Sequence, residues 1–410
     1  MAEKVSMRLR PIALGVLVCA GLGTSAAAQA VPSVGAARQF HVRTGVNVSY
    51  DTNFSRTSKA LAALRGVSQN EVTTRPEVSV ELVQPLGRQV VYLNGNLGYE
   101  FHRENDNLDR GRGDVQAGYA TQLGFCQVSA NGNYRASQAD LATVDTLRVK
   151  NLLQTTGLGA SAQCGRPQGI VGSVSVQHSE ARNSATLQKL ADNESNTISV
   201  AGGYGNQTLG RLMLTYGYTE NDLPNRINPG RPPGDGFKVQ SYGVSYERAL
   251  GSRINMSGMV GRSRVKREFA PVGTDLTFSS TTYSGAIDYT MSSRLNFNLS
   301  ASRAVVPSIR AGKLYDIATT GQAQARYNLG SRFVLTLGHR IADTKSNTDT
   351  TLNVPVLTKS RANSTYGSVT YRQSERASLT LDARYDDRNT NTPDFNYTAT
   401  TVGLTLEVGF

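Results

Sequence analysis

The chain has 410 residues, 40 glycines, no tryptophan and a formal net charge of +12 at pH 7. Beyond the N-terminus, no run of about 20 apolar residues could form a membrane-spanning helix. The positive charge would suit nucleic-acid binding, but the sequence has neither a helical basic stripe nor an aromatic RNA-binding motif. We therefore expect no nucleic acid as a partner.

Residues 1–30 are predicted to be a secretory signal peptide. Lys4, Arg8 and Arg10 form a basic start, an apolar run follows, and Ala28–Ala30 has the small-x-small form of a cleavage site. Export would place the mature chain next to lipopolysaccharide phosphates or an acidic polymer, and these are the partners that its positive charge favours. We expect residues 31–38 to be a short periplasmic segment.

A short turn followed by arginine recurs along the chain and predicts hairpins. It appears as Leu86–Arg88, Leu209–Arg211, Leu250–Arg253, Met291–Arg294, Leu329–Arg332 and Ser374–Arg376, and two further turns fit at residues 124–126 and 165–169. Each of the eight turns would join two strands of about ten residues. With one strand at each end of the chain, the pattern predicts eighteen strands.

The strands show strict alternation of apolar and polar residues. Leu295, Phe297 and Leu299 alternate with Asn296 and Asn298, which is the period of a strand with two different faces. Tyrosines on the apolar parity fall near both ends of the strands, as expected for two aromatic bands at membrane interfaces. In a soluble β-sandwich, the alternative, the same rings would be core residues.

The last strand ends the chain at Phe410, without a tail. It resembles the C-terminal strand of bacterial outer-membrane barrels, in which a terminal Phe acts as the assembly signal. The resemblance implies that Phe410 is recognised by the barrel-assembly machinery.

Together these features predict an all-β fold: a transmembrane antiparallel up-and-down β-barrel over residues 39–410, with about 18 strands. Its short turns would be periplasmic and its longer loops extracellular, in the outer membrane of a Gram-negative bacterium. In lipid every backbone group needs a partner, and for a sheet only closure into a barrel removes the unpaired edges. We expect neither an N-terminal plug nor a long loop folded into the barrel, and the Pro-rich segment 222–236 is the candidate for a partial lid.

One parity of the strands should line a polar lumen of mixed charge. Its predicted members are Arg43, Glu81, Glu100, Gln116, Arg135, Glu247, Asp288, Gln324, Arg326, Arg340, Arg372, Asp382, Arg384 and Glu407. A barrel of 16–18 strands leaves an aqueous channel unless something fills it. The polar residues on the inward-facing parity of the strands therefore predict a water-filled channel.

The sequence shows no catalytic constellation, so we expect no enzymatic activity, no metal and no cofactor. The four histidines are scattered, at His41, His102, His178 and His339. Asp382, Arg384 and Glu407 face one lumen on neighbouring strands. They indicate an ion-pair network, the alternative being an active carboxylate cluster.

Two cysteines remain after the signal peptide. Cys126 opens one strand and Cys164 closes the next, so both should lie outward at the periplasmic rim. A disulfide is plausible in an oxidising compartment, and two unpaired lipid-facing thiols are the alternative.

The segment Val46–Arg56 contains Tyr50, Asp51, Asn53 and Phe54 in the order Tyr-Asp-x-Asn-aromatic. It resembles the first strand of a barrel-porin family found with exopolysaccharide export systems, although Phe54 stands where many members carry an aliphatic residue. The resemblance implies an outer-membrane conduit for exopolysaccharide or capsule, possible periplasmic export components as partners, and no specific binding residue. Two other functions stay open, a general or solute-specific diffusion porin and a structural or adhesive barrel. The sequence does not indicate an oligomeric state.

Overall fold

The computed structural model describes residues 37–141, 149–226, 234–269, 276–308, 314–346 and 357–410. Most of them belong to one antiparallel sheet of eighteen strands. The signal peptide predicted for residues 1–30 lies outside the described residues, and so does most of the segment predicted for 31–38.

The strands are long and similar in length. They are β1 (Gln39–Asp51), β2 (Glu71–Leu86), β3 (Gln89–His102), β4 (Arg110–Leu123), β5 (Cys126–Gln138), β6 (Leu152–Gly165), β7 (Gly169–Asn183), β8 (Asn193–Asn206), β9 (Gly210–Leu223), β10 (Asp235–Leu250), β11 (Ile254–Arg267), β12 (Thr277–Thr290), β13 (Leu295–Pro307), β14 (Tyr315–Leu329), β15 (Phe333–Ser346), β16 (Lys359–Arg372), β17 (Ala377–Thr390) and β18 (Tyr397–Gly409).

The sheet closes on itself. Each strand pairs with its neighbours in sequence, and β1 pairs with both β2 and β18. In the closing pair Tyr50 lies opposite Val402, and Arg43 lies opposite Gly409. Closure removes the unpaired edges that an open sheet would present. The prediction of an eighteen-stranded antiparallel barrel is confirmed.

The two rims of the barrel differ, as predicted. The eight connections after the even-numbered strands are short turns, whereas those after the odd-numbered strands are longer. Gly87 and Gly330, in the repeated Leu-Gly turns, have φ of 66° and 68°, a left-handed conformation that glycine adopts without steric cost. Short turns mark the periplasmic rim of such barrels and longer connections mark the extracellular rim.

One face of the sheet is apolar and exposed. Leu97 is 60 % exposed, Leu214 69 % and Leu381 52 %, which in water would be an unusually large apolar surface. Lipid accounts for such a face, and closure satisfies the backbone there. The chain is an outer-membrane β-barrel. No helix in the described ranges is long and apolar enough to cross a membrane.

The few helices are short and lie in the extracellular connections. The α-helix α1 (Lys59–Arg65) follows β1, and three 3₁₀ turns occupy Asp106–Leu108, Gln188–Ala191 and Pro393–Phe395. Ser58 caps α1 by accepting a hydrogen bond from the Leu61 N–H, and Gly66 ends the helix with φ 63°.

Candidate functional site: the lumen and its extracellular mouth

The polar face of the sheet is its inner, concave face. Tyr366 on β16 accepts a hydrogen bond from Gln322 on β14 at 3.0 Å, which spans the intervening strand. Side chains two strands apart converge in this way only on the concave side of a closed sheet. The polar face therefore surrounds the lumen, and the leucine-rich face points outward.

Strand pairing places all fourteen predicted lumen residues on this inner face. The placement follows from the continuous register around the barrel, in which Arg43 lies opposite Ser79, Glu81 opposite Asn94, and Glu407 opposite Ser378. Their part in transport stays a prediction.

Hydroxyl pairs run between neighbouring strands on the inner face. Ser129 and Ser161 lie 2.8 Å apart, Ser241 and Ser263 2.7 Å apart, and Ser302 and Thr320 2.8 Å apart (oxygen to oxygen). These groups satisfy one another and still offer lone pairs and protons to a solute. The wall can therefore exchange weak hydrogen bonds with passing polar molecules.

A cluster of ion pairs lies on the wall formed by β2, β3 and β4. An Arg112 Nη lies 3.1 Å from a Glu100 carboxylate oxygen, and Arg75 lies 3.8 Å from Glu100 and 3.5 Å from Glu77. Of these four residues only Glu100 was predicted to line the lumen. Counting back from Glu81 in steps of two would have placed Glu77 and Arg75 on the same face.

The ion-pair network predicted for Asp382, Arg384 and Glu407 is wrong within the described residues. Arg384 pairs instead with Asp386, Nε to Oδ1 at 2.8 Å, and Glu407 accepts a hydrogen bond from Ser378. Glu407 lies opposite Ser378, four residues along β17 from Asp382, or about 13 Å. The three residues share a face, but Glu407 lies too far along the barrel from the other two for contact. Asp382 and Asp386 both lie two residues from Arg384, and the ion pair forms with Asp386.

A correction concerns the mouth, where no folded-in loop was expected. The segment of residues 52–70, which joins β1 to β2 and contains α1, is packed rather than open: Ser55 and Thr57 are 1 % and 0 % exposed. We call this segment the mouth loop. The helix α1 lets this segment bury apolar residues such as Ala62.

The mouth loop turns inward through the Asp51–Asn53 sequence. Asp51 Oδ1 accepts a hydrogen bond from the Asn53 backbone N–H, and the Asn53 amide donates to the carbonyls of Thr57 and Thr398. This is an Asx-type turn, a local use of Asp and Asn that stabilises loop starts. The motif that resembles the export-linked porins therefore has a structural role here.

Arg56 fixes the same turn. Its guanidinium forms a bidentate pair with Asp51, at 3.0 and 2.6 Å, although Arg56 itself has φ 54°, which is uncommon for a residue other than glycine. Burial lowers the pKa of Arg56, but the charge of Asp51, followed by Tyr397, Asp140 and the hydrogen bond to Asp51, raises it above its usual value overall. The turn therefore stays charged and paired.

The mouth loop is bound on both flanks. On one side Leu61 packs with Leu357 and Phe395, in the connections that follow β15 and β17. On the other side Val67 packs with Leu108, Leu141 and Val149, in the connections after β3 and β5. Contacts that reach from the β15 side to the β5 side place this segment across the opening.

An apolar patch lines the rest of the mouth. Its buried members, at the extracellular ends of β9, β10, β11 and β14, are Leu223, Phe237, Val239, Val265, Leu314 and Tyr315. The rings of Phe237 and Tyr315 lie 5.9 Å apart although β10 and β14 are not neighbours, so they converge inside the rim. The uniformly polar lumen expected from the sequence is thus incomplete at this end.

The Pro-rich segment 222–236 was predicted to be a partial lid, but its middle part, residues 227–233, lies outside the described residues. Its described ends include Leu223, which belongs to the apolar patch. Among the described residues, no group of three or more His, Cys, Asp or Glu side chains could hold a metal ion.

Cys126 and Cys164 lie directly opposite each other in the β5–β6 pair and form a disulfide in the structure. The pair lies at the periplasmic rim, on the outward face. Of the two alternatives left by the sequence, the structure has the bonded form.

Comparisons with known proteins identify no close relative. No family model matches the chain, and no curated protein matches it. Solved structures of similar shape include the outer-membrane protein OpdK of Pseudomonas aeruginosa (10 % identity, 91 % of this chain and 99 % of that chain covered, TM-score 0.44). OccK2 (OpdF) of the same organism, in complex with glucuronate, has 10 % identity, 90 % and 98 % coverage and a TM-score of 0.47. A BenF-like porin of Pseudomonas fluorescens Pf-5 has 12 % identity, 90 % and 99 % coverage and a TM-score of 0.45.

These likenesses are to outer-membrane barrels and porins. None of these three proteins is linked to an exopolysaccharide system by its description. The link to polysaccharide export, implied by the resemblance of residues 46–56, therefore stays a prediction.

Proposed function

We propose that this barrel is a diffusion channel for small polar solutes rather than a conduit for a polymer. The observation that carries the proposal is the narrowed mouth. The mouth loop covers the side from β15 to β6, and the apolar patch occupies the side from β9 to β14. A polymer chain in transit would have to displace both.

The wall below the mouth suits small solutes that carry hydroxyl, carboxylate or amino groups. Arg112 and Glu100 present both signs of charge, and serine and threonine hydroxyls line other strands of the same wall. Each contact is individually weak in a wet lumen because water competes for the same groups. Weak, exchangeable contacts allow a solute to enter and also to leave.

The mouth loop offers a matched pair of variants. Leu61 and Leu64 lie on the same helix, but Leu61 is 8 % exposed and packs on Phe395, whereas Leu64 is 74 % exposed. Leu61→Ser should release the loop and raise single-channel conductance in planar bilayers. Leu64→Ser should leave conductance at the wild-type value.

Liposome swelling with sugars of increasing size measures the size limit directly. Wild-type protein should admit monosaccharides and exclude long oligosaccharides, and Leu61→Ser should admit larger sugars. The proposal fails if wild-type protein passes long oligosaccharides as readily as monosaccharides.

A deletion strain separates the two transport functions. If it secretes normal surface polysaccharide but loses uptake of a small solute, the diffusion channel is supported. If it retains all solute uptake and loses polysaccharide from its surface, polymer export replaces the proposal.

A further inference from the structure

A basic patch interrupts the outward face of the barrel at the upper end of β11. In its lower half, the outward row of this strand is apolar and includes Met256 and Val260. In its upper half the same row carries Arg262, Arg264 and Lys266, all of them exposed. The row is therefore amphipathic along the strand, apolar below and cationic above.

The patch begins at the height of the extracellular aromatic band. Arg262 lies directly opposite Tyr242 on β10, and Tyr283 on β12 lies opposite Val260, one step below. Aromatic rings of this kind mark the membrane interface. Arg264 and Lys266 consequently lie at the level of the outer-leaflet head groups.

These cations have no partner among the residues that the structure describes. In the described part of the chain, Arg262, Arg264 and Lys266 form neither an ion pair nor a side-chain hydrogen bond. Other outward charges at this height do pair, since Lys238 lies 2.7 Å from Glu220. On β13 the nearby Arg303 has a buried Nε with no hydrogen-bond partner.

Hydroxyl groups flank the patch on the neighbouring strand. Thr281 lies opposite Arg262, Ser279 opposite Arg264 and Thr277 opposite Lys266, and all three are exposed. A guanidinium binds phosphate in bidentate fashion, and a hydroxyl can donate to a further phosphate oxygen. From Arg262 to Lys266 the row extends about 13 Å, enough for more than one phosphate.

We propose that Arg262, Arg264 and Lys266, assisted by Arg303, bind the phosphate groups of a lipopolysaccharide molecule in the outer leaflet. The acyl chains of this lipid would lie along the apolar lower row of β11, which contains Val260 and Met256. The lipid and the strand are both amphipathic. The acyl chains would contact the apolar half of β11, and the phosphates would contact its cationic half. This binding depends on the position of the barrel in the outer membrane and not on what crosses the lumen.

The test measures binding of lipid A to the purified full-length barrel in mixed micelles by native mass spectrometry. Wild-type protein should bind bisphosphorylated lipid A at least about tenfold more tightly than enzymatically dephosphorylated lipid A. The variant R262S/R264S/K266S should lose most of this preference. Added salt should weaken wild-type binding of the phosphorylated lipid, because exposed charges are screened.

The matched control is R253S/R294S/R332S, which removes three positive charges from exposed periplasmic turns and should bind the phosphorylated lipid like wild type. If the triple variant of the patch does not insert, Arg262→Gln and Arg264→Gln are measured singly in the same assay. The proposal is overturned if wild-type protein binds both lipids equally, or if folded patch variants keep the full preference.

Discussion

At the residue scale, an inward tyrosine lies over a glycine of the neighbouring strand. Tyr92 is 1 % exposed and lies opposite Gly118, where an added Cβ would stand 2.4 Å from the tyrosine oxygen and 2.5 Å from the adjacent ring carbon. The ring therefore lies flat along the wall instead of projecting into the lumen. Tyr366 and Gly338 repeat the arrangement on β16 and β15.

Gly118→Ala should accordingly destabilise the barrel by about 1–3 kcal/mol, because a buried ring must move to admit the methyl group. The measurement is the temperature at which the folded band disappears in heat-modifiability gels. Gly217→Ala is the control, since its Cβ would have only ordinary contacts, the nearest at 3.7 Å. In a Tyr92→Ala background the cost of Gly118→Ala should vanish, and an unchanged cost there would reject the explanation.

The disulfide also belongs to the residue scale. Cys126 and Cys164 are 38 residues apart in sequence and opposite each other in register. A digest of unreduced protein should contain the crosslinked peptide pair in mass spectrometry. Full alkylation of both thiols without reductant would contradict the bond.

Removing the crosslink should lower the free energy of unfolding by about 2–4 kcal/mol, because the disulfide restricts the conformations of the unfolded chain. Neighbouring strand pairing already restrains the two ends, so we expect the double variant Cys126→Ser/Cys164→Ser to insert and form a barrel.

At the element scale, β18 decides closure. Its outward row runs through Val402, Leu404, Leu406 and Val408, and the Phe410 backbone N–H donates to the Val42 carbonyl at 2.9 Å. The last residue is therefore tied to β1, the first strand, at the seam of the barrel. The role of Phe410 as an assembly signal stays a prediction.

Deleting Phe410 should reduce insertion into the outer membrane, because the seam loses its terminal hydrogen bond and its outward ring, which is 75 % exposed. Fractionation should show less heat-modifiable barrel and more degraded or aggregated protein in the periplasm. Phe410→Tyr, which keeps the ring, is the control and should assemble normally. Wild-type levels after the deletion would contradict the prediction.

At the scale of the whole molecule, charge is sorted between the two faces. The lysines of the described strands, Lys238, Lys266, Lys345 and Lys359, all face outward, whereas inward cations such as Arg75 and Arg112 are arginines. Arginine stays protonated and holds carboxylates with a planar fork, which suits the cluster in which Arg75 and Arg112 share Glu100.

The inward arginines Arg326, Arg340 and Arg372 form no ion pair in the described part of the chain and should attract anions. Reversing all three to Glu should shift the reversal potential in a KCl gradient towards cation selectivity, without preventing assembly, because the inner face of a wet barrel tolerates charge. The Gln triple variant should give an intermediate shift, and the effect should shrink at high salt. An unchanged reversal potential in the Glu variant would show that these arginines do not influence the ion path.

The sequence by itself determined which residues face the inside of the barrel and how many strands form its wall. Period-two alternation has only two possible phases, so assigning Arg43, Gln324 or Glu407 to the inner face required no knowledge of contacts. The turn repeat fixed the strand number for a similar reason, since each Leu-Gly turn with its arginine must join two neighbouring antiparallel strands. Cys126 and Cys164 could be paired because adjacent strands share one register.

Tertiary structure alone decided the mouth and the side-chain partners. Leu61 packs with Leu357, and Val67 packs with Leu141. The members of each pair are distant in sequence and obey no period, so their packing depends on how separate loops meet at the rim. Parity likewise does not select the partner of Arg384, because Asp382 and Asp386 lie on the same face, each two residues from it. Local alternation specifies which face a residue occupies, whereas long-range packing determines what covers the opening.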